Sequence, residues 1–183
     1  ACIPAKAVLR SADILTEVRE AGEYGITVGE PEVDFGAISE RRKKVVQTLT
    51  GGVAGLMKKN KIDVIEGFGS VTDDGNVKVG GNFDGTEIQA GKVILATGSI
   101  AKPIPGTTFS GRVIGTEGAW GLEELPGRIA VVGAGASGVE IASAYARLGS
   151  EVLLFEGLDR VVPTEDADVS KLVERGLKKQ AMK

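Results

Sequence analysis

One stretch near the end of this chain constrains its fold more than any other. Arg128 to Val132 (RIAVV) reads as a buried strand, and Gly133-Ala134-Gly135-Ala136-Ser137-Gly138 follows it directly. Val139 to Leu148 has helical spacing, Gly149 ends that helix, and Glu151 to Phe155 forms the next strand. Strand, glycine turn, helix and strand within roughly 30 residues close as a βαβ unit. A GxGxxG pattern alone is a weak signal, because glycine-rich turns are common, and its position between strand and helix supplies the weight. Gly133 permits the tight turn, Gly135 lets a pyrophosphate approach the backbone, and Gly138 lets helix and strand pack closely. The helix N-terminus offers free N–H groups and a partial positive charge to phosphates. Glu156 ends the second strand, 23 positions after Gly133, where it can accept hydrogen bonds from an adenosine ribose. Its charge opposes a 2′-phosphate and no arginine follows immediately, so NAD is expected rather than NADP.

Composition removes other chemistries. The chain has 183 residues, 42% of them hydrophobic, enough for one good-sized domain or two small ones with a real core. It contains no histidine, which excludes a Ser-His-Asp triad, a zincin helix and a His-ligated metal within these residues. A single cysteine excludes an intrachain disulfide and a CxxC zinc site. A net charge of −3 gives no basic footprint for nucleic acid. No apolar run is long enough to cross a membrane and no signal-peptide layout is present, so a soluble chain is expected.

Upstream, residues 2–22 read as a helix with Pro4 in its first turn, where a missing N–H costs nothing. Ala7, Ile14, Leu15 and Val18 lie on its expected buried face, and Gly22 and Gly25 close it. Asp34 is a candidate N-cap for a longer helix to about Asn60, carrying Phe35, Ile38, Val45, Leu49, Val53 and Leu56 at helical spacing. The run Arg41, Arg42, Lys43 and Lys44 reads as its solvated face. Gly51, Gly52 and Gly55 each weaken that helix by about 1 kcal/mol relative to Ala, which implies close packing against another backbone. From Lys61 the period changes. Residues 62–71, 76–79 and 87–89 are β-like runs separated by Asp73-Asp74-Gly75-Asn76 and Asp84-Gly85-Thr86 turns, a small antiparallel meander. A buried strand is expected at Val93 to Ala96. Residues 100–127 hold three of the six prolines and no long periodic run, which places a domain boundary near Pro103 to Gly111. A last helix is expected from Asp166 to Lys179, with Leu172, Val173 and Leu177 as its apolar positions.

Cys2-Ile3-Pro4-Ala5-Lys6 stands at a helix start, and a helix N-terminus favours a thiolate over a thiol. A lone cysteine is more often an inert apolar residue, so composition by itself leaves both readings open. The segments CIPAKAVLRSA, LTGGVAGLMKKNKIDVIEGFGS, VILATGS and VVGAGASGVEIASAYARLGSEVLLFE change the odds. In this order and spacing they resemble the dihydrolipoamide dehydrogenases, a branch of the flavin disulfide reductases, over nearly the whole chain. The resemblance implies an α/β fold: part of an FAD-binding domain, with helices and a small antiparallel meander (residues 1–107), then the first half of a Rossmann-like NAD-binding domain (residues 108–183). It implies that Cys2 is the flavin-side member of a redox cysteine pair. Lys6 matches a lysine near the flavin N5, and Glu140 its carboxylate partner, because a buried ammonium needs a counter-charge. Gly69, Thr97, Gly98 and Ser99 match FAD contacts. Gly133, Ala134, Gly135, Ala136, Ser137, Gly138, Val139, Glu140 and Glu156 match the NAD site. The implied reaction passes electrons from protein-bound dihydrolipoamide through a cysteine pair and FAD to NAD+. The implied partners are a second copy of the chain, in a homodimer, and the lipoyl domains of 2-oxo acid dehydrogenase complexes or the glycine cleavage system. Bacterial cytoplasm is the expected compartment, ahead of the mitochondrial matrix.

The chain departs from the family pattern in four ways. The FAD-binding GxGxxG unit, the first redox cysteine and the interface domain with its His–Glu pair are not among these residues. Ala1 and Ala5 also stand where the family commonly has Gly and Ser. An internal piece of such an enzyme is therefore expected, inactive by itself. The alternatives are a non-catalytic NAD-binding module or another flavin disulfide reductase. Against a glutathione-reductase-like chain, Glu156 stands where a phosphate-binding arginine is needed. Against a mercuric-reductase-like chain, the lack of extra cysteine pairs counts only weakly.

Overall fold

The computed structural model describes residues 2–80, 85–180 and 182, so Ala1 and Asp84 of the second meander turn lie outside the described residues. In chain order the elements are helices α1 (Cys2–Glu20) and α2 (Phe35–Lys59), then strands β1 (Phe68–Val71), β2 (Val77–Gly80) and β3 (Thr86–Ile88). Helix α3 (Thr116–Gly121), strand β4 (Arg128–Val132), helix α4 (Ala136–Leu148), strand β5 (Glu151–Phe155) and helix α5 (Ala167–Lys179) follow. The fold is α/β, with one antiparallel and one parallel sheet. It divides into two compact units, residues 1–49 with 101–183, and residues 50–100.

In the first unit β4 and β5 pair in parallel, Arg128 opposite Glu151 through to Val132 opposite Phe155, with α4 as the crossover. The βαβ reading of the sequence thus holds. Gly149 sits at φ 118°, and its N–H closes the helix onto the Tyr145 and Ala146 carbonyls. A side chain would be strained there, which is why glycine ends the helix.

Helix α1 lies alongside α4 in parallel, and two ion pairs fix the register. Lys6 pairs with Glu140, and Asp13 with Arg147 at 2.6 Å, each pair seven residues beyond the other on both helices. Seven residues are about two turns. Because the charge order is reversed between the helices, a two-turn slip would set like charges against each other. Ala5 and Ala12 on α1 and Ala144 on the Glu140–Arg147 face of α4 are almost wholly buried, and their small size lets the helices approach closely. The buried residues of α1 are Ala5, Ala7, Val8, Ala12 and Leu15; Ala7 and Leu15 are inside as expected, Val18 is half-buried, and Ile14, expected inside, is exposed. Alanine carries little hydrophobic signal, so Ala5 and Ala12 gave the pattern nothing to follow.

Tyr145 anchors the same core. Its ring lies 6.0 Å from that of Phe35 and 6.4 Å from that of Trp120, and its hydroxyl donates to the Ala119 carbonyl at 2.5 Å. Burial pushes its phenol up to about 12.

Asp34 does cap α2, its Oδ1 accepting the Ala37 N–H at 2.9 Å. Three expectations for α2 are corrected. Arg42 is buried, not solvated: its guanidinium donates to the Trp120 and Leu122 carbonyls at the end of α3, the latter at 3.0 Å. The orphan carbonyls of a helix end attract such a cation, and α3 itself was not foreseen. Leu49, Val53 and Leu56 are about half exposed, so only the first part of α2 buries its apolar face. A Cβ at Gly51, Gly52 or Gly55 would meet nothing within 4 Å, so among the described residues no backbone approaches them. In α5, Leu177 is buried but Leu172, expected inside, is exposed.

In the second unit the meander forms in the order β1-β2-β3, with Gly69 opposite Val79 and Lys78 opposite Glu87. Gly75, at φ 78°, turns the chain between β1 and β2. β1 is shorter than expected, since residues 62–67 pair with nothing regular. The buried strand expected at Val93 to Ala96 does not form. Ile94 is 91% exposed and Leu95 73%. A strand needs a neighbour for its N–H and C=O groups, and none of the described residues supplies one.

Candidate functional site: the glycine turn and the start of helix α4

β4 delivers the chain into the turn at Gly133, whose N–H donates to the Phe155 carbonyl at 2.8 Å and whose φ is 102°. Only glycine adopts that conformation freely. A Cβ on Gly138 would lie 1.8 Å from the Gly133 carbonyl oxygen, so the helix start fits against the turn only without a side chain. The close partner is thus the turn carbonyl, with the β4 side chain of Val131 next at 3.5 Å. A Cβ on Gly135 would meet no protein atom within 4 Å. That position is open on its outer side, as backbone approach by a ligand requires.

The first N–H to bond back along α4 is that of Val139, onto the Gly135 carbonyl at 3.0 Å. The N–H groups of Ala136, Ser137 and Gly138 precede it and have no intrahelical acceptor. The turn also forms one wall of an open cleft of about 1060 Å³ that runs along β4 and includes Val113, Ile114, Val132 and Ser137.

Glu156 is tied to this turn. Its Oε2 accepts the Ala134 N–H at 2.7 Å and its Oε1 the Leu158 N–H at 2.9 Å. These amides hold its carboxyl below the ordinary glutamate value, the Leu158 bond contributing most. An ionised carboxylate has about four acceptor positions, so capacity remains for ribose hydroxyls. Glycines, free amides and a fixed carboxylate suit a dinucleotide.

A family model described as pyridine nucleotide-disulphide oxidoreductase matches residues 1–183. The chain belongs to this family. Dihydrolipoyl dehydrogenase of Chlamydia pneumoniae is 38% identical over 182 residues, covering 100% of this chain and 39% of that protein. The mitochondrial enzyme of Pisum sativum is 36% identical over 185 residues, covering 100% and 37%. A leghemoglobin reductase of Vigna unguiculata is 39% identical, covering 100% and 35%. Among solved structures, LpdA of Mycobacterium tuberculosis superposes with TM-score 0.86 at 25% identity, over 100% of this chain and 41% of that one. The HOCl-induced flavoprotein disulfide reductase RclA of Escherichia coli superposes with TM-score 0.74 at 28% identity, covering 100% and 38%. The chain thus spans well under half the length of the relatives it matches.

In this pyridine nucleotide-disulphide oxidoreductase chain, Cys2 is exposed in the first turn of α1, four residues before Lys6 and so on the same side of the helix. Lys6 meets Glu140 on α4 as the resemblance implies. The pair was expected to be buried, yet the lysine side chain is 64% exposed and the glutamate 36%. Gly69 lies within β1, where a Cβ would touch Val77 at 3.4 Å. Thr97, Gly98 and Ser99 form an exposed segment with Gly98 at φ 73°. These four belong to the second unit, and Cys2, Lys6, Glu140, Glu156 and the glycine turn to the first. Two features of the site had no sequence signal: the grip of Glu156 on Ala134, and the docking of Val162 beside it.

Proposed function

We propose that this chain is part of an FAD- and NAD-dependent dihydrolipoyl dehydrogenase, active as the complete enzyme. The observation that carries the reading is the strand–glycine turn–helix unit with Glu156 bonded to the turn, in a chain whose relatives include dihydrolipoyl dehydrogenases at 36–38% identity. In this reading residues 1–107 are the later part of an FAD-binding domain and residues 108–183 the first half of an NAD-binding domain. The N–H groups at the start of α4 bind the NAD pyrophosphate. Glu156, ionised and held in place, accepts the ribose hydroxyls and repels a 2′-phosphate. Glu140 holds the Lys6 ammonium on the flavin side of α1, and Cys2 serves as the flavin-side thiolate of a cysteine pair. Gly69, Thr97, Gly98 and Ser99 lie against FAD. The bound cofactors supply the two-electron and hydride chemistry. The partners are a second copy of the chain and the lipoyl domains of a 2-oxo acid dehydrogenase complex or the glycine cleavage system, in the cytoplasm. Among the described residues no helix is long and apolar enough to cross a membrane.

The test is dihydrolipoamide-dependent reduction of NAD+ and NADP+ by the complete, flavin-loaded enzyme that carries these residues. NAD+ is expected to be preferred at least about a hundredfold in kcat/KM, since like charges brought together cost several kcal/mol. Equal rates with both nucleotides would overturn the role given to Glu156, and no lipoamide-dependent reduction would overturn the function. The 183 residues by themselves are expected to give no turnover.

A further inference from the structure

Val162 stands out beside the glycine turn because a buried, β-branched residue occupies the left-handed region, at φ 42°. Such a conformation persists only where the surroundings impose it. Here they act from both sides. The Val162 N–H donates to the Ala134 carbonyl at 2.7 Å, and its own carbonyl accepts the Glu165 N–H at 3.0 Å and the buried Ser170 hydroxyl at 3.4 Å. The Val162 backbone therefore bridges α5 and the glycine turn.

The consequence lies in peptide geometry. The Ala134–Gly135 peptide is trans, so its carbonyl and the Gly135 N–H point in opposite directions. Drawing the Ala134 carbonyl toward Val162 turns the Gly135 N–H away from the 157–165 segment. The preceding peptide is fixed as well, since the Ala134 N–H is held by Glu156. Both peptides flanking Ala134 are thus pinned before any ligand arrives. We infer that Val162 is a positioning residue for dinucleotide binding: its N–H sets the Ala134–Gly135 peptide so that the Gly135 N–H is presented to the pyrophosphate. This rests on the NAD reading above. It explains why a strained residue stands six positions beyond Glu156, after the exposed residues 157–160.

The experiment replaces the Val162 amide by an ester, through the corresponding α-hydroxy acid, which removes the N–H donor and keeps the side chain. Val162→Gly is the companion, keeping the N–H and relieving the φ. NADH binding is read by fluorescence, and the Gly135 amide by its 1H–15N signal without nucleotide. The ester is expected to weaken NADH about fivefold to tenfold and to shift the Gly135 signal. Val162→Gly is expected to bind within about twofold of the unaltered protein. A folded ester variant with unchanged NADH affinity overturns the inference, as does an unmoved Gly135 signal. Loss of affinity in Val162→Gly equal to that of the ester also overturns it, because the side chain would then be what matters. If the ester does not fold, the Val162→Gly affinity and the Gly135 signal of Ser170→Ala decide in its place. A twofold or smaller change in the former with a shift in the latter supports the inference, and any other pair of results overturns it. Absence of NADH binding by the unaltered protein would instead sink the NAD reading itself, and the inference with it.

Discussion

Two short apolar runs, each leading into a glycine turn, meet opposite fates here. RIAVV pairs along its whole length with β5 and delivers Gly133 to the start of α4. VILAT, at residues 93–97, has as much hydrophobicity and β-branching, yet forms no strand and exposes Ile94 and Leu95. The difference is the company each run keeps. Behind RIAVV, a crossover helix brings a second strand to its edge within the same βαβ unit. Among the described residues nothing does this for VILAT. Composition proposes a strand, and a partner decides it.

The sharpest way to stress that contrast is at the two turns. Gly138→Ala places a methyl 1.8 Å from the Gly133 carbonyl oxygen, a backbone clash that no side-chain rotation relieves. It is expected to cost more than about 3 kcal/mol, read as a large fall in denaturation midpoint. Gly98→Ala meets nothing within 4 Å and is opposed only by φ 73°, a cost of about 1 kcal/mol. Equal losses at the two positions would break the comparison.

A second, smaller effect separates the runs themselves. Val131 is 8% exposed, so Val131→Ala is expected to destabilise by about 2 kcal/mol. Ile94→Ser removes more carbon from a side chain that is 91% exposed, and should change stability by less than about 0.5 kcal/mol. Chemical denaturation of both variants checks this. A large loss from Ile94→Ser would mean that VILAT is covered.

The smallest expected effect concerns pH at the end of β5. Glu156 ionises more readily in the folded chain than when unfolded, so its contribution to stability is complete at neutral pH. That contribution fades as pH falls from the ordinary glutamate value through the lower folded value. Glu156→Gln should therefore melt about 2 °C or less below the unaltered chain at pH 7 and converge with it in acid. A gap that widens on acidification would reverse the assigned sign.

Much of the site was legible because its signals are local. Gly133, Gly135 and Gly138 are dictated by the chain's own turn, and Glu156 by the end of the next strand. Asp34 announced its helix in the same way. Arg42 was not legible, since four consecutive cations look solvated until α3 offers its terminal carbonyls. The α1 face was legible only at Ala7 and Leu15, because alanines that pack tightly, such as Ala5 and Ala12, contribute almost nothing to a hydrophobic pattern.

What the sequence by itself determined, then, is the βαβ unit, the meander and the chemistry available at the glycine turn. Each depends on residues close together in the chain, where backbone conformation and spacing suffice. Tertiary structure alone decided which apolar runs are covered, that α1 and α4 lie parallel with Asp13 on Arg147, beside the Lys6–Glu140 pair that the resemblance had implied, and that Val162 grips Ala134. These are contacts across 28 to 134 residues of chain. At that distance the energy lies in shape and charge complementarity between surfaces, which no local pattern encodes.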